Sequence, residues 1–190
     1  MRVAFIVLSA FFLLSACAGG QGRAPGPQAI APGIALTLPE RPPFGAGIEA
    51  QQLVRAVYGG RRDRFQAAIE SSRARFALAM TVPSGPRIMT IEWHDGAIVE
   101  TRGIAPAGLL PARRLLADFM FVYAPEADLR AALSGGDLVV SGRTRRLFRN
   151  GVLLVEAVRP DGNPWEGPAR LSNFAHDYEL LIDSHGIGPQ

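Results

Sequence analysis

Apolar and polar side chains alternate with a period of two through residues 51–102. Phe76, Leu78 and Met80, for example, are separated by single small residues, a pattern typical of a strand with one covered face. Short turns such as Gly59-Gly60 and the Pro-Ser-Gly-Pro of residues 83–86 separate these runs. The pattern predicts a five-stranded antiparallel meander, with strands at residues 51–58, 64–70, 75–82, 87–93 and 97–102.

The period changes after residue 110 to that of an amphipathic helix. Its apolar positions recur at intervals of three and four residues and are Ala112, Leu115, Leu116, Phe119, Met120 and Tyr123. Pro111 suits the first turn of this helix, and Pro125 prevents its continuation. A second, shorter helix is predicted over residues 126–133, before Gly135-Gly136.

Strands are predicted again in the last third of the chain, at residues 137–142, 144–149, 152–159, 169–175 and 178–184. Asn150-Gly151 is a strong hairpin signal between two of them. One helical pair covers a sheet of nine to ten strands only if the sheet curls around it. The predicted fold is therefore mainly β (α+β), a strongly curved antiparallel sheet with the helical pair on its concave face.

The N-terminus has the features of an export signal. Arg2 precedes an apolar run, Val3 to Leu14, which has the length of a signal-peptide core and is too short to span a membrane. The sequence Leu-Ser-Ala-Cys that ends at Cys17 resembles a bacterial lipobox. It implies removal of residues 1–16 and lipidation of Cys17; the alternative is an ordinary secretory signal with a chance cysteine. Residues 17–36, rich in Gly and Pro, are predicted to be a tether, and residues 37–190 the domain.

The lipobox resemblance also implies a location. The residue after the cysteine is Ala18 rather than the Asp that commonly retains such proteins at the inner membrane. The expected location is the periplasmic face of the outer membrane of a Gram-negative bacterium, with the lipid on Cys17 as the anchor. Because Cys17 is the only cysteine, no disulfide is expected.

Charge adds little to this interpretation. The net charge is +3, and all basic residues are arginine. Nucleic acid is not an expected partner of an exported protein, whereas anionic headgroups are. Within one hairpin, Arg143, Arg145, Arg146 and Arg149 form either a solvated strand face or a headgroup contact.

Catalytic and metal-binding patterns are weak. His94-Asp95 and His176-Asp177 fall in predicted turns, and no Gly-x-Ser-x-Gly elbow accompanies them. Neither the histidines nor the aspartates have the spacing of a metal site. We therefore expect no enzyme activity, no metal and no cofactor.

Three stretches of the sequence carry a family resemblance: residues 83–102, residues 110–133 and residues 163–183. Their most specific parts are Leu-Leu-Ala-Asp at 115–118 and Trp-Glu-Gly at 165–167. Over residues 38–184 the chain resembles uncharacterised bacterial lipoproteins that are found beside aryl-polyene lipid genes and are similar to the outer-membrane lipoprotein receptor LolB. The resemblance implies a LolA/LolB-like half-barrel with a helical lid and a hydrophobic cavity, and it brings no established enzymatic activity.

The helix face and the facing strands are the candidate cavity wall. Its residues are Leu115, Leu116, Phe119, Met120, Tyr123, Phe76, Leu78, Met80, Ile91 and Trp93. The same pattern fits a solid core, because periodicity does not separate packed from lined space. Trp165 is expected to plug the fold rather than to contact a membrane.

One feature departs from LolB, which inserts an exposed apolar residue at a loop tip into the membrane. The corresponding turn here, residues 83–86, has no large apolar side chain. Ile104, Leu109 and Leu110 are the nearest substitutes.

The leading expectation is a non-enzymatic lipoprotein that binds or carries the acyl or polyene part of a lipid. The alternative is a structural lipoprotein that docks an envelope partner protein and has no cavity.

Overall fold

Ten antiparallel strands form one sheet in the computed structural model, which describes residues 26–83, 85–104 and 110–187. A small three-stranded sheet and two helices accompany it. The elements in chain order are β1 (Pro27–Ala31), β2 (Ile34–Thr37), β3 (Ile48–Tyr58), β4 (Arg61–Ser71), β5 (Arg75–Thr81), β6 (Arg87–His94), β7 (Ala97–Arg102), α1 (Ala112–Tyr123), α2 (Glu126–Ala132), β8 (Leu133–Ser134), β9 (Asp137–Ser141), β10 (Thr144–Arg149), β11 (Val152–Val158), β12 (Gly167–Asn173) and β13 (Tyr178–Gly186).

The large sheet consists of two meanders joined at their centre. Its strand order is β7-β6-β5-β4-β3-β13-β12-β11-β10-β9, so that β3 pairs with β13. The chain runs from the centre to one edge through β3–β7 and from the other edge back to the centre through β9–β13. The sheet is open, with β7 and β9 as its edges. The predicted meander and the later strands are confirmed. The turn residues Asn150 (φ 49°) and Gly151 (φ 76°) have the left-handed conformation that a two-residue hairpin requires.

Both predicted helices are present. Helix α1 covers Ala112–Tyr123 as expected, with Pro111 before it and Pro125 beyond its end. Helix α2 ends at Ala132, one residue earlier than predicted, because Leu133 pairs with Leu36 in the small sheet.

The small sheet corrects the predicted tether. Residues 27–37, most of which were assigned to a flexible segment, form the β1–β2 hairpin. Ile30, Ile34 and Leu36 are at most 2% exposed. Burial of these three large aliphatic side chains offsets part of the conformational entropy that ordering the hairpin costs. Residues 17–25 lie outside the described part of the chain.

One face of the large sheet is covered and the other is polar. Side chains alternate along β4, where Phe65, Ala67 and Ile69 are buried in the core while their neighbours are exposed. The opposite face carries ion pairs such as Arg75 with Glu70 at 3.7 Å and with Glu92 at 3.3 Å. This is the usual arrangement of an antiparallel sheet with a single core.

Arg145 is not part of a solvated or headgroup-binding strand face, as the sequence had suggested. It is 1% exposed and points towards the end of α1. Its guanidinium donates to the carbonyl oxygens of Phe121 (2.8 Å), Val122 (3.2 Å) and Ala124 (2.5 Å). Burial lowers the pKa of Arg145 to about 10. The cation satisfies carbonyls that the end of a helix leaves without partners.

We expect Arg145→Ala to lower the free energy of unfolding by about 3 kcal/mol, because three carbonyl oxygens would lose their charged donor inside the core. Arg146→Ala is the matched control, since Arg146 faces the other side of β10 and pairs with Glu156 at 2.7 Å near solvent. It should cost less than about 1 kcal/mol. Urea unfolding of both variants measures the difference, and equal losses would contradict the assigned role.

Candidate functional site

A partly enclosed cavity of about 530 Å³ lies between α1 and the covered face of the large sheet. Its wall is mainly apolar. On the sheet side it is built by β3, β4, β5, β12 and β13, which contribute residues such as Val54, Ala67 and Ile182. On the helix side it is built by Leu115, Phe119 and their neighbours. The cavity exists because the small side chains of β3 and β4 leave room between the sheet and the helix.

The structure brings six of the ten predicted wall residues to this cavity. They are Leu78, Met80, Leu115, Leu116, Phe119 and Tyr123.

The other four predicted residues, Phe76, Ile91, Trp93 and Met120, are fully buried in the core and do not line the cavity. Ile91 and Trp93 belong to β6, which is one strand beyond those that form the wall. Phe76 is at the start of β5 and packs at 4.9 Å against the ring of Phe44.

An aromatic cluster closes one end of the cavity. Phe119 contacts the rings of Phe44 and Phe76, each at 5.0 Å. Trp165 stacks on Tyr123 with ring centroids 4.7 Å apart and an interplanar angle of 10°. Trp165 is 8% exposed, so the structure places it as the predicted plug. These ring contacts give the closed end its rigidity.

A buried ionic network lies beside the cavity and was not predicted. Arg114 and Asp118, one helical turn apart on α1, approach to 3.4 Å. The hydroxyl of Tyr178, on β13, donates to Asp118 Oδ2 at 2.6 Å and accepts from Arg114 Nη2 at 2.8 Å. Arg114 also donates to the carbonyl oxygens of Ala29 and Ile30 on β1. The network therefore joins the helix, the hairpin and the sheet.

Burial sets the proton affinity of this network. It raises the pKa of Asp118 to about 6, although Arg114 and the Tyr178 hydroxyl act in the opposite direction. Burial, together with the charge of Asp118, also raises the pKa of Tyr178 well above its ordinary value. The phenol thus stays protonated and continues to donate to Asp118.

A second polar group is buried on the other side of the cavity. Gln52 donates to the Tyr123 hydroxyl at 2.8 Å and to Ser184 Oγ at 3.0 Å. Burial raises the pKa of Tyr123 to about 12. These three side chains satisfy one another's hydrogen-bonding groups, so that the surrounding wall stays apolar.

Gln52, Arg114 and Tyr178 were missed because each looks like an ordinary surface residue in the sequence. Asp118 lies in the Leu-Leu-Ala-Asp segment of the family resemblance, but nothing in the sequence marks it as buried. The alternation of β3 and β13 gave a usable signal, since Gln52 and Tyr178 occupy positions in phase with buried neighbours.

The remaining arginines of the predicted cluster have separate environments. Arg143 pairs with Asp161 at 3.1 Å, and Arg146 pairs with Glu156. Arg149 donates to the carbonyl oxygen of Pro32 at 3.2 Å and lies where a side chain at Gly33 would be. The structure does not bring the four arginines onto one surface.

No group of three or more His, Cys, Asp or Glu suited to a metal occurs in the described residues. His94 contacts its neighbour Asp95 at 3.1 Å in the β6–β7 turn. His176 is exposed at the rim of the cavity, where partial burial and the charge of Arg114 lower its pKa.

None of the described helices is long and apolar enough to cross a membrane. Cys17 lies outside the described residues.

Residues 49–186 match a family described as "Protein of unknown function (DUF3261)". The chain belongs to the DUF3261 family. The match runs from the second residue of β3 to the last residue of β13, so the DUF3261 region contains the large sheet and both helices. The β1–β2 hairpin precedes this region. No curated protein matches the chain.

The raised pKa of Asp118 in this DUF3261 protein predicts a pH dependence. The folded state holds the proton more tightly than the unfolded chain, whose Asp pKa is about 3.9. The contribution of Asp118 to stability is thus fully present below pH ~4 and is lost as the pH rises through about 6. The loss is at most about 3 kcal/mol.

Asp118→Asn isolates this effect from other carboxylates. As the pH rises from ~4 to ~6, the free energy of unfolding of the wild type should fall relative to that of Asp118→Asn. Denaturant unfolding at a series of pH values measures it. A difference that is constant with pH would mean that Asp118 has an ordinary pKa.

Proposed function

We propose that this protein is a non-enzymatic outer-membrane lipoprotein that binds the acyl or polyene part of a lipid in the cavity. The observation that carries the proposal is the cavity of about 530 Å³ with its mainly apolar wall. Ligand sites for small molecules are typically concave, mostly apolar and about 300–1,000 Å³ in volume. Protein cores are otherwise packed nearly without voids.

The polar groups of the wall support binding rather than catalysis. Arg114, Asp118 and Tyr178 form hydrogen bonds with one another, and Arg114 also bonds to the backbone of β1. Gln52, Tyr123 and Ser184 form hydrogen bonds among themselves. With these groups committed to each other, the cavity selects its ligand by shape and apolar contact.

A LolA/LolB-like half-barrel is part of the proposal. Helix α1 contacts the edge strand β7 and also β11, which is seven strands away in the sheet order. That separation is about 34 Å in a flat sheet, whereas a 12-residue helix is about 18 Å long. A sheet that bends around α1 accounts for both contacts.

The anchor in this proposal is the lipidated Cys17. Because β1 begins at Pro27, the connection from the anchor is shorter than the sequence had indicated. Nine intervening residues span at most ~33 Å when extended. The domain would lie close to the outer membrane, and its lipid would belong to the envelope, with an aryl-polyene lipid as the candidate that the family resemblance suggests.

The alternative, a docking lipoprotein without a cavity, has less support. It needs a solid core, whereas a cavity lies between α1 and β3–β5.

Filling the cavity tests the proposal. Ala67 lines the cavity and Ala68 faces the opposite, exposed side of β4. We expect Ala67→Phe to weaken binding of the fluorescent polyene fatty acid parinaric acid at least tenfold, because the ring occupies ligand space. Ala68→Phe should leave the affinity unchanged. Fluorescence titration gives the affinities, and thermal unfolding verifies that both variants are folded.

Failure of the wild-type protein to bind parinaric acid or native envelope lipid at micromolar concentration would overturn the proposal. Equal affinities for the two variants would place the probe outside the cavity. Native mass spectrometry of protein isolated from its own host would then identify the chemical class of any lipid that co-purifies.

A further inference from the structure

The cavity opens at one end of the large sheet, which we call the mouth end. Three residues of its wall remain exposed, Ala29, Pro111 and His176, whereas the aromatic cluster closes the other end. The strand register places the Gly59-Gly60 turn and residues 174–177 at the mouth end, because Tyr58 pairs with both Arg61 and Tyr178. The β5–β6 turn and the Asn150-Gly151 turn lie at the same end.

Large apolar side chains project into solvent around this end. Ile104, which follows β7, is 73% exposed, Val152 is 59% exposed and Phe174 is 56% exposed. Val152 is the first residue of β11, and Phe174 lies in the β12–β13 connection. Exposed apolar patches rimmed by polar residues mark sites of interaction with proteins or membranes.

Arginines are frequent at the same end of the sheet. By strand register, those outside the core at the mouth end include Arg55, Arg61, Arg62, Arg64, Arg87, Arg102, Arg146, Arg149 and Arg170. They outnumber the carboxylates there, which are Asp63, Glu100, Asp137, Glu156, Asp177 and Glu179. Asp63 and Glu100 are paired with Arg61 and Arg102. At the opposite end, Glu40, Asp95, Asp161 and Glu166 are interspersed with arginines.

We propose that the mouth end docks on the surface of an anionic lipid bilayer, so that the cavity opens towards the membrane. Arginine guanidinium groups attract anionic headgroups, and exposed Phe and Ile side chains insert at the boundary of the acyl region. The combination of excess positive charge with apolar side chains fits a bilayer better than it fits a purely acidic or purely apolar partner.

The path of the chain supports this orientation. The described structure begins at Gly26, which lies beside Arg113, and Gln28 two residues later lines the cavity. Gly26, the first described residue, therefore lies at the mouth end. This docking surface does not depend on what the cavity holds, so it goes beyond the proposed function.

A pair of positions with matched exposure tests the orientation. Phe174 at the mouth end is 56% exposed, and Ile187 at the opposite end is 57% exposed. In the full chain carrying Cys17→Ser, Phe174→Cys or Ile187→Cys provides a single thiol for the environment-sensitive dye nitrobenzoxadiazole. The labelled proteins are mixed with vesicles of phosphatidylcholine, with or without phosphatidylglycerol.

We expect the dye at position 174 to brighten several-fold and shift to the blue with vesicles that contain phosphatidylglycerol. The dye at position 187 should change little, and ~1 M salt should reduce the response at 174 through screening. Because the apolar leader is common to both proteins, a difference between the positions reports on the domain.

Charge reversal supplies the second arm of the test. Arg62→Glu with Arg64→Glu, combined with Phe174→Cys, should reduce the response several-fold. Arg73→Glu, an exposed arginine in the β4–β5 turn at the opposite end, is the control and should not. An equal response at positions 174 and 187, no response at either, or a response independent of phosphatidylglycerol would overturn the docking proposal. None of these outcomes bears on parinaric acid binding, which tests the cavity separately.

Discussion

The buried contact between Arg114, Asp118 and Tyr178 holds together the parts of this fold that the large sheet does not join by itself. Helix α1 supplies the ion pair, β13 supplies the phenol, and the carbonyl groups of β1 complete the guanidinium's partners. Asn173 of β12 donates to the carbonyl oxygen of Ile30 and ties the hairpin to the same place. A buried ion pair of this kind contributes geometry more than free energy, because desolvation offsets much of its attraction.

That geometry explains why a cavity persists. The polar network fixes the start of α1 against β13, and the aromatic cluster around Trp165 fixes its end. Between these two attachments, Val54, Ala56 and Ala67 are too small to fill the distance to Phe119. A helix that is held at both ends cannot collapse onto the sheet, so the space remains.

The local elements could be predicted from the sequence because their causes are local. Alternation, the Asn150-Gly151 turn and the prolines around α1 gave nearly every strand and helix of the domain. The β1–β2 hairpin could not be predicted in the same way, since its strands are short and rich in Pro, Gly and Ala. Its order comes from burying Ile30 and Ile34 beneath distant elements. Arg145 and Arg114 were missed for a related reason: a buried arginine is identified only by the carbonyl groups that it meets in three dimensions. The cavity wall was predicted in part, because period alone does not show which buried residues face a void.

The pairing of β3 with β13 has a consequence for how the chain folds. Ala50 lies opposite Gly186, so this pairing closes a loop of more than a hundred residues. The hairpins on either side join strands that are neighbours in sequence, so closing their short loops costs little conformational entropy. The two meanders are thus expected to form early as separate units. The pairing of β3 with β13 joins residues that are far apart in the sequence, and we therefore expect it to be the slow step of folding.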